Sequence, residues 1–439
     1  MLAAFGLLLV CGTRTDAASP VPLGSCGPVD RPYATVELPA GRLDRVGNPP
    51  LGHLGLTAIR DGRLAPIPFQ IDERRGRKIA LPDGPEPTDD DKPGVLDADD
   101  LVVFMACDVG PQAPPAALVA YATWREIRIE DPLDHTTGYA YLVVADHPPV
   151  SDRSYVQYDA ATDLVSTARY RVGLVHALPV YMGLSLDGPL GPNVLDGLRL
   201  RAEATLLAGL VHWTLNEQQA RNELIAWKTG PVRVVRRSRH HVRLGLGIEL
   251  SAGVAHSYFA AQHVIAPGTL KLPFSPRIFF REISAFAGAD FRDLGGWRFH
   301  APGVPPAGFA IDGKTDDAER TFKHDGGWFA VTRAHEAIVV ATTLSENLAR
   351  AVPLEVTYVD DAARRAPPEN APGSVPLAGF RGRGLENLDS GRYTFELRVY
   401  TLAGYRPGDE SRVLEQAATD LAADVSARSA PAGAPVAPR

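Results

Sequence analysis

The sequence has few cysteines and lacks the common motifs for haem, zinc or nucleotide binding. Its 439 residues include three cysteines, which form neither the Cys-x-x-Cys-His run of c-type haem nor a zinc-finger spacing. A Gly-x-Ser-x-Gly elbow, a P-loop and a dinucleotide-binding glycine turn are also missing. These absences argue against elbow-type serine hydrolases, P-loop NTPases and Rossmann dehydrogenases. We therefore expect no haem and no nucleotide cofactor.

A basic excess is missing as well, and the composition is unfavourable for long helices. The chain carries 45 basic against 52 acidic residues, a net charge of -7, whereas nucleic-acid binders usually carry a strong basic excess. It contains 41 glycines and 38 prolines, and proline breaks helix interiors while glycine weakens them. We expect no nucleic-acid partner and a body built from short strands joined by turns.

Only the N-terminus carries a long apolar run. Leu2 to Val10 is followed by the small pair Ala17 and Ala18, which is typical of a secretory signal, although no basic residue precedes Leu2. We predict a signal peptide over residues 1–18 and a secreted or periplasmic chain without a transmembrane segment. Cys11 follows a short aliphatic stretch, so a lipoprotein anchor is the less favoured alternative.

The two other cysteines form an even pair once Cys11 leaves with the signal. In an oxidising compartment, Cys26 and Cys107 could form one disulfide. The alternative is two separate thiols, with Cys107 buried in a strand. The residues themselves leave both readings open.

Alternating apolar and polar residues dominate the rest of the chain. Ile67, Phe69 and Ile71 alternate with polar residues, and a long extended stretch runs from Val232 to Leu250. Regular strands broken by Pro/Gly turns favour an antiparallel β-sandwich or supersandwich over βαβ winding. Helical spacing is confined to Thr214–Ala226 and to one C-terminal helix over Asp409–Arg428.

A proline-rich interruption near residue 150 suggests two domains. We predict an N-terminal β-sandwich over residues 19–150 and a larger sandwich or supersandwich over 151–428. The last residues, 429–439, are rich in proline and alanine, and we expect a disordered tail.

An acidic loop precedes the apolar run that begins at Leu101. Laid on the twelve-residue calcium loop, with Gly94 at position 6, its acids occupy positions 1, 3, 9 and 12. These acids are Asp89, Asp91, Asp97 and Asp100. Pro93 takes the place of one side-chain ligand, and the flanks are not helical. Calcium is therefore the one candidate cofactor, and a solvated acidic loop is the alternative.

A basic stripe lies along the long extended stretch. It consists of Arg233, Arg237, Arg239, His241 and Arg243. Alternation places these side chains on one face of a strand, where guanidinium groups could bind the carboxylates or sulfates of an acidic glycan. The alternative is a solvated outer face paired with acids such as Glu203 and Glu217.

Two further residues, together with Arg243 of the stripe, could support lyase chemistry. His256 with Tyr258 and Arg243 could supply the base and the charge neutraliser for β-elimination from a uronic acid. This hypothesis requires the three side chains to converge in the fold, which spacing alone does not show.

Two tryptophans each follow a glycine pair. Trp297 and Trp328 stand after Gly-Gly, and flexible residues before a large ring suit a sugar-stacking contact. Packing in the core is the ordinary role of an indole.

Three segments together resemble the opening of a group of secreted bacterial β-rich proteins. They are Pro66–Glu73 (PIPFQIDE), Leu96–Asp108 (LDADDLVVFMACD) and Gly230–Arg237 (GPVRVVRR). Similar openings precede supersandwich domains of the polysaccharide-lyase and galactose-mutarotase-like kind. The resemblance spans about residues 33–250 and carries no catalytic motif. It implies an exported β-sandwich and, by analogy of fold, a role with glycans.

The combined prediction is an exported protein that binds an extracellular acidic polysaccharide. Processing of that polysaccharide, by a lyase or another carbohydrate-active mechanism, is a further hypothesis. A non-catalytic cell-envelope scaffold that docks onto an envelope protein is the alternative. The sequence leaves open whether the chain is an enzyme.

Overall fold

The computed structural model describes residues 19–43, 46–175, 178–184, 191–206, 211–245, 248–364 and 373–426. The predicted signal peptide with Cys11 and the predicted disordered tail lie outside the described residues. The strands are β1 Thr35–Pro39, β2 Leu54–Arg60, β3 Arg63–Pro66, β4 Phe69–Asp72, β5 Arg74–Arg75, β6 Lys78–Ile79, β7 Leu101–Met105, β8 Thr123–Glu130, β9 Thr137–Val144, β10 Val156–Asp159, β11 Leu164–Thr167, β12 Tyr170–Val175, β13 Leu178–Leu184, β14 Leu195–Leu206, β15 Val211–Leu215, β16 Ala220–Thr229, β17 Arg233–Gly245, β18 Ile248–Ala260, β19 His263–Leu272, β20 Phe280–Phe291, β21 Arg298–His300, β22 Phe309–Ala310, β23 His324–Asp325, β24 Trp328–Arg333, β25 Glu336–Leu344, β26 Leu354–Val359, β27 Leu377–Arg383, β28 Gly391–Ala403 and β29 Ala422–Ser426. The α-helices are α1 Asp317–Thr321, α2 Glu346–Ala351 and α3 Asp409–Ala418.

Two large sheets form the main sandwich. A nine-stranded sheet runs in the order β16-β17-β18-β19-β28-β25-β24-β21-β22, and a six-stranded sheet in the order β15-β14-β20-β27-β26-β23. The main core contains Phe259 and Phe329 from the first sheet and Phe291 and Phe380 from the second. Apolar residues of both sheets thus bury one another's inner faces, and the predicted mainly-β antiparallel class is confirmed.

A second, smaller sandwich is built mostly from the N-terminal part of the chain. A five-stranded sheet (β29-β8-β9-β2-β3) and a three-stranded sheet (β1-β7-β4) enclose a core that includes Leu56, Phe104 and Ile127. On the other face of β7, Val103 packs with Val232. Strand β7 is therefore buried on both faces, as its continuous apolar run indicates, and it joins the small sandwich to the large one.

The two helices predicted from spacing differ from the structure. Residues 214–226 form the end of β15, a 3-10 turn and the start of β16, because Ala220 to Thr229 pairs along β17. The C-terminal helix begins at Asp409 as predicted but ends at Ala418. Beyond it, strand β29 pairs with β8.

The connection between Cys26 and Cys107 is a disulfide that links positions 81 apart. It fastens the segment before β1 to the 3-10 turn that follows β7. Among the described residues, no helix combines the length and apolarity needed to cross a membrane.

Candidate functional site

The outer face of the nine-stranded sheet carries most of the predicted ligand residues. Across four neighbouring strands, Val235 pairs with Tyr258, Tyr258 with Ile265, and Ile265 with Arg398. Directly paired residues lie on the same side of an antiparallel sheet. The opposite side, including Phe259, is buried in the main core.

The first arginine of the basic stripe is internal rather than free for a ligand. Arg233 is buried, donates from Nε to Oδ2 of Asp72 at 2.9 Å and contacts Glu37. Burial opposes ionisation of Asp72, but Arg233 and Lys228 hold the pKa of its carboxyl below the ordinary value. This end of the stripe therefore ties the large sheet to the small sandwich.

The other residues of the stripe differ from one another in their exposure and in the acids that they contact. Arg239 contacts Glu86 and lies 3.5 Å from Glu223. Arg237 is half-buried opposite His256, and after Arg239 it also lowers the pKa of the Glu86 carboxyl. His241 is half-buried and Arg243 is exposed.

The acids suggested as partners for a solvated stripe belong elsewhere. Glu217 contacts Arg199 at 3.3 Å and Arg201 at 3.5 Å, and Glu203 lies on β14, in the six-stranded sheet. The acids that contact the stripe instead come from the small sandwich, the Glu86 segment and β16.

His256 and Tyr258 stack, with ring centroids 6.4 Å apart, and the guanidinium of Arg233 lies 5.0 Å from the Tyr258 ring. Burial and then Arg237 lower the pKa of His256, while burial raises the pKa of Tyr258. Arg243 pairs with Glu249, six residues along β17 from Arg237. The three side chains proposed for β-elimination do not converge, and Arg237 occupies the place beside His256.

A cavity of about 440 Å³ opens on the same face. We call it the His263 cavity. Its walls come from β1, β19 and β28, and it is bounded by α3 and the chain that leads into β29. Its polar and aromatic lining includes Tyr33, Glu37, His263, Arg398 and Tyr400. Sequence reasoning did not select any of these five residues, because strand pairing alone brings them together.

The aromatic wall of this cavity is continuous. Tyr33 packs edge-on against Tyr400 at 5.8 Å, and His263 lies 6.2 Å from Tyr400. Trp328 is half-buried in the adjoining apolar cluster with the same two tyrosines. Trp297 lies apart from it, because the indole is 3% exposed within the main core and Arg333 covers it at 5.0 Å.

The His263 imidazole is buried without full hydrogen bonding. Its exposed fraction is 2%, and Nδ1 has no hydrogen-bond partner. Burial, followed by Arg398 and Arg233, lowers the pKa of His263 to about 3. The ring is therefore neutral at pH 7, which suits contact with an uncharged polar group.

The cavity's cations are neutralised by the protein. Arg398 contacts Glu396 and donates to the carbonyl of Ala417 at 2.5 Å. Arg31 forms a buried ion pair with Asp131. These contacts fix both guanidinium groups against acids and carbonyl groups of the protein.

In the acidic loop, Asp90, Asp91 and Asp97 can each place one oxygen within 4.8 Å of the others. Of the predicted ligands, Asp91 and Asp97 belong to this group, and Asp89 does not. Asp100 instead accepts hydrogen bonds from the backbone N–H groups of Arg74 and Asp97, and burial raises its pKa to about 6. Lys92 Nζ lies 2.9 Å from Asp97 Oδ2.

Asp90 is the member of this group that the loop template does not include. It is buried, Oδ2 accepts from the N–H of Lys92, and Oδ1 has no hydrogen-bond partner. A buried carboxylate oxygen without a partner is a costly arrangement that a cation would relieve.

No protein-family model matches the chain, and no curated protein sequence matches it. Among solved structures, it is similar to an alpha-mannosidase from Enterococcus faecalis V583, with 10% identity and a TM-score of 0.46, over 90% of this chain and 44% of that chain. It is also similar to a putative aldose 1-epimerase from Escherichia coli K12, with 10% identity and a TM-score of 0.33, over 57% of this chain and 98% of that chain. A glycosyl hydrolase family 38 protein from Enterococcus faecalis gives a TM-score of 0.47 at 10% identity, over 90% of this chain and 46% of that chain. The chain thus spans less than half the length of the mannosidase and of the family 38 protein.

Proposed function

We propose that this protein is exported, secreted or periplasmic, and binds an extracellular polysaccharide with one sugar unit in the His263 cavity. The observation that carries the proposal is the neutral His263 ring in a cavity walled by Tyr33 and Tyr400. Aromatic rings offer an apolar surface with a polar edge, and sugar hydroxyls both donate and accept hydrogen bonds. A volume of about 440 Å³ lies in the usual range for small-molecule sites, roughly 300–1,000 Å³.

The acidic part of the polysaccharide would be recognised outside the cavity. Arg237 is on the same sheet face, opposite His256 and two residue pairs along from the pair that contains Tyr258. Glu86, which Arg239 contacts, also has the pKa of its carboxyl lowered by Arg237. In the proposal, the N–H donors of the Arg237 guanidinium bind a carboxylate or sulfate of the polymer. The cavity's own arginines are already paired, so the proposal assigns charge recognition to Arg237.

Lyase chemistry is a second candidate, favoured by the adjacency of His256 and Arg237. In this version neutral His256 accepts the proton from the carbon next to the uronate carboxylate, and Arg237, in place of Arg243, neutralises that carboxylate. The electron pair forms the double bond as the glycosidic C–O bond breaks, and the departing sugar oxygen takes a proton from water. Its product would carry a new carbon–carbon double bond and absorb in the ultraviolet. Saturable binding without that absorbance would leave the protein a binding module.

Binding should be measured by calorimetry on the full chain with a neutral and an acidic polysaccharide. We expect Tyr33→Phe to weaken binding of both polymers about fivefold, the effect of one hydrogen bond. Arg237→Ala should weaken only the acidic polymer, by about tenfold. Arg350→Ala, which removes an exposed pair with Glu346, is the control.

Two results would overturn the proposal. One is the absence of binding to any polymer of a neutral and acidic glycan array. The other is binding that neither cavity nor stripe variant changes. Either result would favour the envelope-scaffold alternative, in which the partner is an envelope protein.

A further inference from the structure

One end of the sandwich exposes a cluster of apolar side chains. The connection between β19 and β20 presents Phe274, Ile278 and Phe279, which are 44%, 62% and 56% exposed. We call residues 271–281 the Phe274 loop. Large side chains exposed together are uncommon on soluble surfaces and mark interaction sites.

The cluster extends onto the neighbouring hairpin. Phe274 and Phe279 pack edge to face at 5.4 Å. Phe280 pairs with Leu206, which also pairs with Val211, and Val211 is exposed as well. Strand pairing therefore places the exposed Val211 on the hairpin that neighbours the Phe274 loop.

The Phe274 loop is cationic in an acidic protein. Residues 271–281 contain Lys271, Arg277 and Arg281 and no acid, whereas the whole chain has a net charge of -7. All three cationic residues are exposed. The nearby acid that contacts the loop is Asp389, 3.2 Å from Arg277, in a pair exposed to solvent. Such a pair is weak and readily exchanged.

We propose that the Phe274 loop docks on the surface of an anionic lipid bilayer. Its aromatic and aliphatic side chains would enter the headgroup boundary while the arginines and the lysine contact lipid phosphates. Long cationic side chains suit this position because their stems are apolar and their heads remain in the polar layer. The contact is peripheral, since it needs only the tip of a loop.

A second copy of the chain is a poorer occupant. A stable protein interface engages about 20–30 residues on each side, whereas the exposed apolar edge comprises Val211, Phe274, Ile278 and Phe279 among the described residues. Two cationic loops would also repel each other across a symmetric contact. An anionic surface removes both difficulties.

The test is sedimentation of the full chain with vesicles of phosphatidylcholine alone or mixed with phosphatidylglycerol. We expect binding to the mixed vesicles that weakens with added salt. The double variant Ile278→Ser with Phe279→Ser should weaken it about tenfold or more, and Arg277→Ser about fivefold. Val150→Ser with Val254→Ser, at exposed valines elsewhere, is the matched control and should bind like the wild type.

Any of three outcomes would overturn the inference. These are no sedimentation with either vesicle, equal loss in the loop and control variants, or a loop-dependent dimer by light scattering without vesicle binding. Thermal unfolding of each variant establishes that it is folded. Glycan binding should be unchanged in the loop variants, so this inference and the proposed function fail separately.

Discussion

Nε of Arg233 donates to Oδ2 of Asp72 at 2.9 Å across the contact between the large sheet and the small sandwich. Both side chains are buried. Lys228 Nζ lies 3.6 Å from Oδ1 of the same carboxylate, and the side-chain amide of Gln70 donates to that oxygen at 2.7 Å. The aspartate is thus fully surrounded by donors, and its charge depends on them.

Removing the arginine should therefore destabilise the protein strongly. We expect Arg233→Leu to lower the free energy of unfolding by about 3–5 kcal/mol, because it leaves a buried carboxylate with one distant cation. Arg239→Leu, which breaks a partly exposed pair with Glu86, should cost far less, because solvent-exposed ion pairs contribute little to stability. Urea unfolding of both variants measures the difference. Equal losses would contradict the internal role given to Arg233.

Strands could be predicted from the sequence where one face of the strand, or both faces, are buried. Alternation marked β17, and the apolar run marked β7. The same reasoning failed after Ala418. Leu421, Ala423 and Val425 match helical spacing only in part, whereas all three match the two-residue alternation of a strand. These three residues pack on the small sandwich core, so a tertiary contact decides between the two periods.

The site was less predictable, because its members meet only through distant pairing. Arg233 and Asp72 are 161 positions apart, and nothing local in the sequence links them. The stripe's shared face was predictable from alternation, but the burial of Arg233 against the small sandwich was not. Likewise, Tyr33 precedes β1 and Tyr400 lies in β28, and only the folded chain makes them neighbours.

His263 should make stability depend on pH in a defined window. Its pKa is about 3 in the folded protein and about 6.5 in an unfolded chain. As pH falls below about 6.5, the unfolded state gains a proton that the folded state does not, so stability decreases until about pH 3. The slope approaches 1.4 kcal/mol per pH unit. Denaturant unfolding at several pH values should show a shallower slope for His263→Gln; an unchanged slope would refute the assignment.

Reduction of the Cys26–Cys107 disulfide should lower stability without changing the fold class. The bond closes a long loop, because its two cysteines are 81 positions apart. Its loss should lower the free energy of unfolding by about 2–5 kcal/mol, because the unfolded chain gains conformational entropy. The measurement is thermal unfolding with and without a phosphine reductant. Cys26→Ser with Cys107→Ser should match the reduced protein and show no further response to reductant. A response of that variant would trace the effect to something other than this bond.

The acidic loop should bind calcium through a set that differs from the template. Asp90, Asp91 and Asp97 supply the oxygens, and Lys92 competes for Asp97. Millimolar calcium should therefore raise the melting temperature, by mass action on the folded state. Lys92→Ala should increase that shift because the competing ammonium is gone, and Asp90→Asn should abolish it, whereas Asp89→Asn should leave most of it. Scanning calorimetry with calcium and with a chelator measures all four proteins. If the wild type melts at the same temperature with calcium and with chelator, the loop does not bind calcium.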